Sequence, residues 1–353
     1  MMASPAFEVG GRRIGPDEPA YVVAELSANH RGDYGRAVAL IEAAAGAGAD
    51  AVKLQTYTAD TLTIDCDNAC FRIGGDGLWA GRTLYDLYRE AATPWEWQPR
   101  LRARALDLGL ELFSSPFDET AVAFLEEMDV PAHKIASFEL IDTPLLRAVA
   151  ATGKPVIVST GMASLDEVDE AVGVLREAGA GPIALLKCTS AYPAPPEEMN
   201  LRSIPYLADR FGVVAGVSDH TRSEAVAVAA VAVGGRIVEK HLTLSRSEGG
   251  PDAAFSAEPA EFARMVAAVR DAERALGAVS FGGAAGEKDL RPLRRSLFVV
   301  ADIKAGEPFT PDNVRSIRPG HGLAPKHLDK VLGQRAAADI PRGTPLTWEM
   351  IAR

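Results

Sequence analysis

Short apolar runs rich in Val, Ile and Ala alternate with longer stretches in which apolar residues recur every three to four positions, and the alternation repeats eight times between Tyr21 and Leu276. Short β-branched runs bounded by polar or Gly-containing segments read as strands, and the longer recurrence reads as amphipathic helix. The predicted strands are Tyr21–Glu25, Ala51–Gln55, Glu111–Ser114, Lys134–Ser137, Val156–Ser159, Ala184–Cys188, Val213–Val217 and Arg236–Lys240. Between them lie Ala-rich helices such as Arg36–Ala47, Leu165–Ala178 and Ser223–Val233. Eight parallel strands with crossover helices predict an α/β fold closed into a (β/α)8 TIM barrel rather than an open sheet.

One unit is stretched. From Thr56 to Gln98 the chain carries Gly74, Gly75, Gly77 and Pro94 together with Trp79, Tyr85, Tyr88, Trp95 and Trp97. A connection this long inside a compact domain reads as a loop that covers substrate. The plainer alternative is a satellite apolar cluster on the barrel flank. After Leu276 the periodic pattern stops, and the Gly-rich run 282–286 reads as linker. Beyond it, β-like runs at Ser296–Val300 and Ala337–Ile340, broken by Gly and Pro, predict a compact irregular β module. The expected organisation is a barrel domain over 1–277, a linker over 278–293 and a small β-rich domain over 294–353.

Composition narrows the class without altering that picture. Hydrophobic residues at 47% and charged residues at 24% suit a soluble globular protein with a sizeable core. A net charge of −11 argues against a nucleic-acid or anionic-membrane partner, although one pocket can still be locally positive. No N-terminal export signal and no run of ~20 apolar residues is seen, so a cytoplasmic protein is expected. Cys66, Cys70 and Cys188 are too few for a disulfide framework and lack the second pair of a zinc site, so they read as free thiols.

In a β/α barrel the catalytic face lies at the C-terminal ends of the strands. Those ends supply Glu25, Asn29 and His30; Lys53 and Gln55; Ser114 and Ser115; Lys134, Ser137 and Glu139; Ser159 and Thr160; Lys187, Thr189, Ser190 and Tyr192; Ser218, Asp219 and His220; and Glu239, Lys240 and His241. Each alone has a plain explanation: a strand-end Ser caps the next helix, and a buried Lys answers a carboxylate. Together, lysines and hydroxyls from at least five strands suit a phosphate dianion, because ammonium groups supply charge while hydroxyls and loop N–H groups supply directed hydrogen bonds. The expected ligand is a small phosphorylated anion.

His220 and His241 occupy equivalent positions after the last two barrel strands, which brings two imidazoles to one rim. Two neutral imidazoles, with water or a substrate oxygen completing the shell, suit Mn2+, Fe2+, Zn2+ or Mg2+ in a Lewis-acid role. One His as general base and the other as core filler is the competing reading. His30 is expected to order a loop or touch substrate; His133, His321 and His327 fall in no constellation.

The motifs AELSANH (24–30), GADAVKLQTY (48–57), FSSPF (113–117), HKIASFE (133–139), VSTGM (158–162), LKCTSAYP (186–193), GVSDHT (216–221), VEKHLT (238–243), RSLF (295–298) and IRPGHGL (317–323) together resemble the sialic acid synthase family. The resemblance runs from about Ala20 to Ile351, and within the family it is strongest to the bacterial pseudaminic acid synthases. AELSANH stands where sialic and legionaminic acid synthases usually read AEIG-x-NH, and the segment 77–98 also looks like the pseudaminic branch.

The resemblance implies a barrel followed by an antifreeze-like (SAF) domain, in a domain-swapped homodimer where Arg318 of IRPG reaches the partner's sugar. It implies a divalent cation, Mn2+ or Mg2+, on His220 and His241. Phosphoenolpyruvate contacts carry over to Lys53, Ser115, Lys134, Ser137, Ser159, Lys187 and Ser218. Glu25 matches an acidic residue beside metal and substrate, and Glu139, Tyr192 and Asp252 match positions that contact the sugar or water on the metal. Asn29, Gln55 and Ser190, from the strand ends, complete the expected substrate contacts; Ser190 stands where family members often have Asn, and Ser115 where they have Thr.

The implied reaction is condensation of phosphoenolpyruvate with 2,4-diacetamido-2,4,6-trideoxy-L-altrose and water, giving a nine-carbon nonulosonic acid and phosphate. Glu25, Lys53, Lys134, His220 and His241 would carry the catalysis. An aromatic-rich cover suits a 6-deoxy bis-acetamido sugar, which presents methyl groups where sialic acid precursors present hydroxyls. The rival readings are an N-acetylneuraminate or legionaminate synthase acting on another hexosamine, and a non-catalytic carbohydrate-binding barrel.

Overall fold

Ahead of the first predicted strand the chain forms a hairpin, β1 Phe7–Val9 and β2 Arg12–Ile14, too short to show a period in the sequence. Its turn is Gly10–Gly11, with φ of 57° and 81°, the left-handed backbone that a two-residue hairpin turn requires. Phe7, Val9 and Ile14 join the barrel core. Arg12 pairs with Asp50, whose Oδ2 also accepts the Val22 N–H at 2.8 Å and Arg270 Nη2 at 2.9 Å. The computed structural model describes residues 5–352, except the side chains of 285, 288 and 289; residues 1–4 and 353, assigned above to the two domains, lie outside the described residues.

Eight parallel strands follow: β3 Tyr21–Glu25, β4 Ala51–Thr56, β5 Glu111–Pro116, β6 His133–Ile135, β7 Val156–Ser159, β8 Ile183–Cys188, β9 Val214–Asp219 and β10 Ile237–His241. They close into a barrel in the order β10-β3-β4-β5-β6-β7-β8-β9. Every residue of β3, β7 and β10 is buried, as expected for strands covered on one face by barrel interior and on the other by helices. The predicted fourth strand, Lys134–Ser137, is shorter: the chain leaves β6 at Ile135, and Ser137–Glu139 is a 3-10 turn.

The helices start on side-chain caps. Asp33 accepts the Arg36 N–H ahead of helix Tyr34–Gly46, and Ser164 with Glu167 forms a capping box ahead of helix Leu165–Glu177. The second buries Val168, Ala171, Val172 and Leu175, a three-to-four-residue spacing that turns one face inward. The long connection after β4 carries helices Ala59–Leu62 and Leu84–Ala91 and 3-10 turns Ala69–Phe71 and Trp95–Trp97. Among the described residues no helix is long and apolar enough to cross a membrane.

The chain divides into two compact units, Met1–Gly277 and Ala278–Arg353. In the second, β11 Ser296–Val299 pairs antiparallel with β12 Val314–Ile317 over a core that includes Leu297, Val299, Ile303, Phe309, Val314 and Leu346. Ala337–Ile340 is not a strand: Ile340 makes an isolated bridge to Ile303, and the Asp339 carboxylate takes the Ala305 N–H at 2.9 Å. The segment read as linker contains a 3-10 helix, Ala285–Leu293.

Candidate active site

A cavity of about 420 Å³ opens at the C-terminal ends of the barrel strands. Side chains alternate along a strand, so Lys53 and Gln55 of β4 share one face, as do Glu239 and His241 of β10. These four, with Lys134, Ser137, Ser159, Ser218 and His220, form the polar lining. The insert after β4 supplies a different wall, made of Leu62, Ile73, Trp79, Leu84, Leu87, Tyr88 and Ala91.

The polar lining is organised around four buried charges. Lys53 Nζ lies 2.5 Å from Glu25 Oε2 and 3.6 Å from Glu239 Oε1, and Lys134 Nζ lies 3.5 Å from the same Glu239 oxygen. Ser218 Oγ donates to Glu239 Oε1 at 3.2 Å, and Lys53 donates to Ser115 Oγ at 3.3 Å. Burial pushes the Glu25 carboxyl up, against the pull of Lys53. Burial also opposes charge on Glu239, but Lys134 and Lys53 outweigh it and hold that carboxylate below the usual range. For Lys53 the balance favours charge, since Glu239 and Glu25 overcome desolvation, whereas desolvation prevails at Lys134 and lowers it. The result is one carboxylate, Glu239, shared by two lysines, beside a second carboxyl that burial pushes up. Glu139, in the 3-10 turn after β6, is pushed up to about 7 by burial.

The two imidazoles sit with ring centroids 5.3 Å apart. His220 Nδ1 donates to the Thr189 carbonyl at 3.1 Å, which leaves Nε2 as the free lone pair. Burial holds His241 well below the ordinary histidine value, and its Nδ1 is buried with no partner. Two imidazoles with centroids this close, one oriented by a carbonyl and one with an unmet nitrogen, fit a divalent cation. Among the described residues no cluster of three or more His, Cys, Asp or Glu could hold a metal, so His220 and His241 are the imidazoles that would hold one here.

The NeuB family profile matches residues 40–280, and the SAF domain profile matches residues 294–352. The chain belongs to the NeuB family. It is 45% identical over 332 residues to the pseudaminic acid synthase of Campylobacter jejuni, covering 94% of this chain and 96% of that one. It is 42% identical over 341 residues to the pseudaminic acid synthase of Helicobacter pylori, covering 95% and 99%. Among solved structures, the N-acetylneuraminic acid synthetase of Leptospira borgpetersenii in complex with citrate superposes with a TM-score of 0.72 at 31% identity, over 81% of this chain and 95% of that one.

In this NeuB family member the sequence-predicted residues fall into three groups. Lys53, Gln55, Lys134, Ser137, Glu139, Ser159, Tyr192, Ser218, His220, His241 and Asp252 line the cavity together. Directly behind that lining, Glu25 accepts the Ser27 N–H at 2.9 Å and Gln55 Nε2 at 3.2 Å, and Ser115 holds Lys53. The third group does not line the cavity. Asn29 Nδ2 donates to the Leu242 carbonyl and to Ser256 Oγ, both at 2.9 Å, so that amide braces loops. Lys187 Nζ donates to the Cys188 carbonyl at 2.7 Å, Ser190 sits beside Cys188, and Arg318 is exposed in the second unit at the end of β12.

Three further residues shape this site, two of them, Glu239 and His30, from the strand-end set but without an expected catalytic or metal role. Glu239 holds both lysines; its signal in the sequence was its place two residues before His241, on the same strand face. Phe255 packs 4.9 Å from His241 and 5.0 Å from Tyr192, and nothing in its sequence neighbourhood distinguished it. His30 orders a loop: it accepts the Gly32 N–H on Nδ1 and meets the Thr93 hydroxyl through Nε2, both at 3.1 Å.

The aromatic cluster divides between its two readings. Trp79 donates to the Pro251 carbonyl at 2.9 Å and packs at a tilt against Tyr192 at 5.4 Å, joining the insert to the opposite rim. Tyr88 lines the cavity beside Tyr57, at 5.9 Å. Trp95 packs on Phe124 at 4.8 Å and Trp97 on Tyr34 at 5.7 Å, both on the flank, and Tyr85 bonds Asp60 at the surface. Cys66, Cys70 and Cys188 are free thiols.

Proposed function

We propose that the chain is a pseudaminic acid synthase, joining phosphoenolpyruvate to 2,4-diacetamido-2,4,6-trideoxy-L-altrose with uptake of water and release of phosphate. The observation that carries this reading is one cavity with two kinds of wall. Lysines, serines and paired imidazoles suit a phosphorylated carboxylate and an aldehyde, and the insert's Ile73, Leu84 and Leu87 suit a sugar carrying methyl groups in place of hydroxyls. Full-length similarity to two pseudaminic acid synthases supports the same sugar.

In this reading Lys53 and Lys134 bind the phosphate and neutralise it as the C–O bond breaks, while Ser137, Ser159 and Ser218 fix its orientation. Ser159 Oγ and Glu139 Oε2 are buried without partners, the unmet polar atoms that a ligand would satisfy. A divalent cation, Mn2+ or Mg2+, held by His220 and His241 would polarise the sugar aldehyde. C3 of phosphoenolpyruvate attacks that carbon, water adds at C2, and phosphate departs. Glu25 Oε2 faces Lys53 and holds that ammonium in place, while Glu139, near neutrality, can take a proton from the incoming water.

Phosphate release from phosphoenolpyruvate and this sugar tests the reading. It should require both substrates, stop with chelator, return with Mn2+, and be lost in His220→Ala and His241→Ala. Normal release by either variant in chelated buffer contradicts the metal role. The proposal extends to a cytoplasmic, domain-swapped homodimer in which Arg318 serves the partner's sugar, supported by the match to the SAF domain over residues 294–352. Inactive Arg318→Ala and Lys53→Ala proteins, co-refolded, should then regain partial activity; no recovery rejects the swap.

A further inference from the structure

On the outward face of the barrel wall, a buried lysine ties together the two strands that bear the imidazoles. Lys240 of β10 is in register with Asp219 of β9, and their side chains are 3% and 0% exposed. Lys240 Nζ donates to Asp219 Oδ2 at 2.7 Å and to the Thr221 carbonyl at 2.6 Å. Asp219 Oδ1 accepts the Thr221 N–H at 2.8 Å. His220 is the residue between Asp219 and Thr221, and His241 directly follows Lys240.

Neither Lys240 nor Asp219 lines the cavity. Strand alternation turns Glu239 and His241 inward and Lys240 outward, so this ammonium does not meet substrate. A buried ion pair is also a poor source of stability, because desolvation cancels most of the attraction and apolar replacement of both partners is often neutral or stabilising. Its use here is geometric. β9 ends at Asp219, so His220 lies beyond the strand. Three hydrogen bonds converge on the residues either side of His220 and anchor them to the strand that ends in His241.

We propose that Lys240, acting through Asp219 and Thr221, is a positioning residue that sets the spacing of the His220 and His241 imidazoles for a divalent cation. This rests on the metal-binding reading of the site. Lys240→Met alone strands a buried carboxylate and can fail to fold, so the informative variant is Asp219→Asn/Lys240→Met. It keeps an Oδ1 acceptor for the Thr221 N–H, roughly conserves volume and leaves no buried charge unpaired.

The measurement is Mn2+ binding to metal-free full-length protein, read by electron paramagnetic resonance of unbound Mn2+, with Tm recorded alongside. The double variant should keep the wild-type Tm or exceed it, and should bind Mn2+ roughly 10–100-fold more weakly. Wild-type Mn2+ affinity in the double variant overturns the proposal. So does weakened binding accompanied by a lowered Tm and a lost near-UV circular dichroism signal, which marks the pair as a structural staple only. Wild-type protein that binds no Mn2+ removes the metal reading itself, and the proposal with it.

Discussion

Lys53 Nζ lies 2.5 Å from Glu25 Oε2, with both side chains buried. The lysine placed to meet a phosphate dianion is thus already held by a carboxyl that burial pushes toward its neutral form. Lys53→Met leaves that carboxyl without its ammonium. Glu25 can answer by keeping a proton, but holding it costs more as pH rises above the ordinary carboxylate range. Urea unfolding should therefore show a small loss of stability at pH 5 and a larger one at pH 8, up to about 3–5 kcal/mol for a broken buried pair. Equal losses at both pH values contradict the coupling.

Glu139 gives a second pH signature. Its folded value, about 7, is raised by burial, so its protonated form contributes stability that is present below the ordinary carboxylate value and lost as pH rises through about 7. Glu139→Gln should gain on the wild type as pH rises from 5 to 8, by at most about 3 kcal/mol. Thermal unfolding across that range checks this; a constant difference rejects it. The same variant should lose the limb near pH 7 in its rate profile.

The apolar wall should set sugar choice. Leu84→Asn gives a 6-hydroxyl a partner and removes apolar contact from a 6-methyl group. Preference for the 6-deoxy sugar over its 6-hydroxy counterpart, as a ratio of kcat/KM, should fall by roughly 10-fold or more. An unchanged ratio moves specificity elsewhere in the cavity.

Trp79 joins the insert to the opposite rim through Pro251 and Tyr192. Trp79→Phe keeps the ring and loses the hydrogen bond. KM for the sugar should rise by roughly 5–10-fold, matching about 1 kcal/mol for one hydrogen bond, with KM for phosphoenolpyruvate unchanged. A rise in both would mean that the latch shapes the whole mouth.

The barrel was legible because its strands are buried on both faces and stand out as apolar runs; only ends such as Ile135 against Ser137 moved. The hairpin at Phe7–Ile14 was not, since three-residue strands carry no period. Strand-end position identified most of the polar side of the cavity, but it could not separate facing from bracing. Lys187 and Asn29 carry suitable groups and spend them on backbone carbonyls. Glu239 shows the converse: charge sharing among three strands is a tertiary fact, visible only once Lys53 and Lys134 are seen to meet it.

Competition among three sugars in one vessel decides whether the protein makes pseudaminic acid. Purified protein, Mn2+ and phosphoenolpyruvate are supplied with equal concentrations of 2,4-diacetamido-2,4,6-trideoxy-L-altrose, the corresponding legionaminic acid precursor and N-acetylmannosamine. Chromatographically resolved products are then identified by mass. Pseudaminic acid should dominate, with one phosphate released per product. Dominance of either other nonulosonic acid, or no product at all, contradicts it.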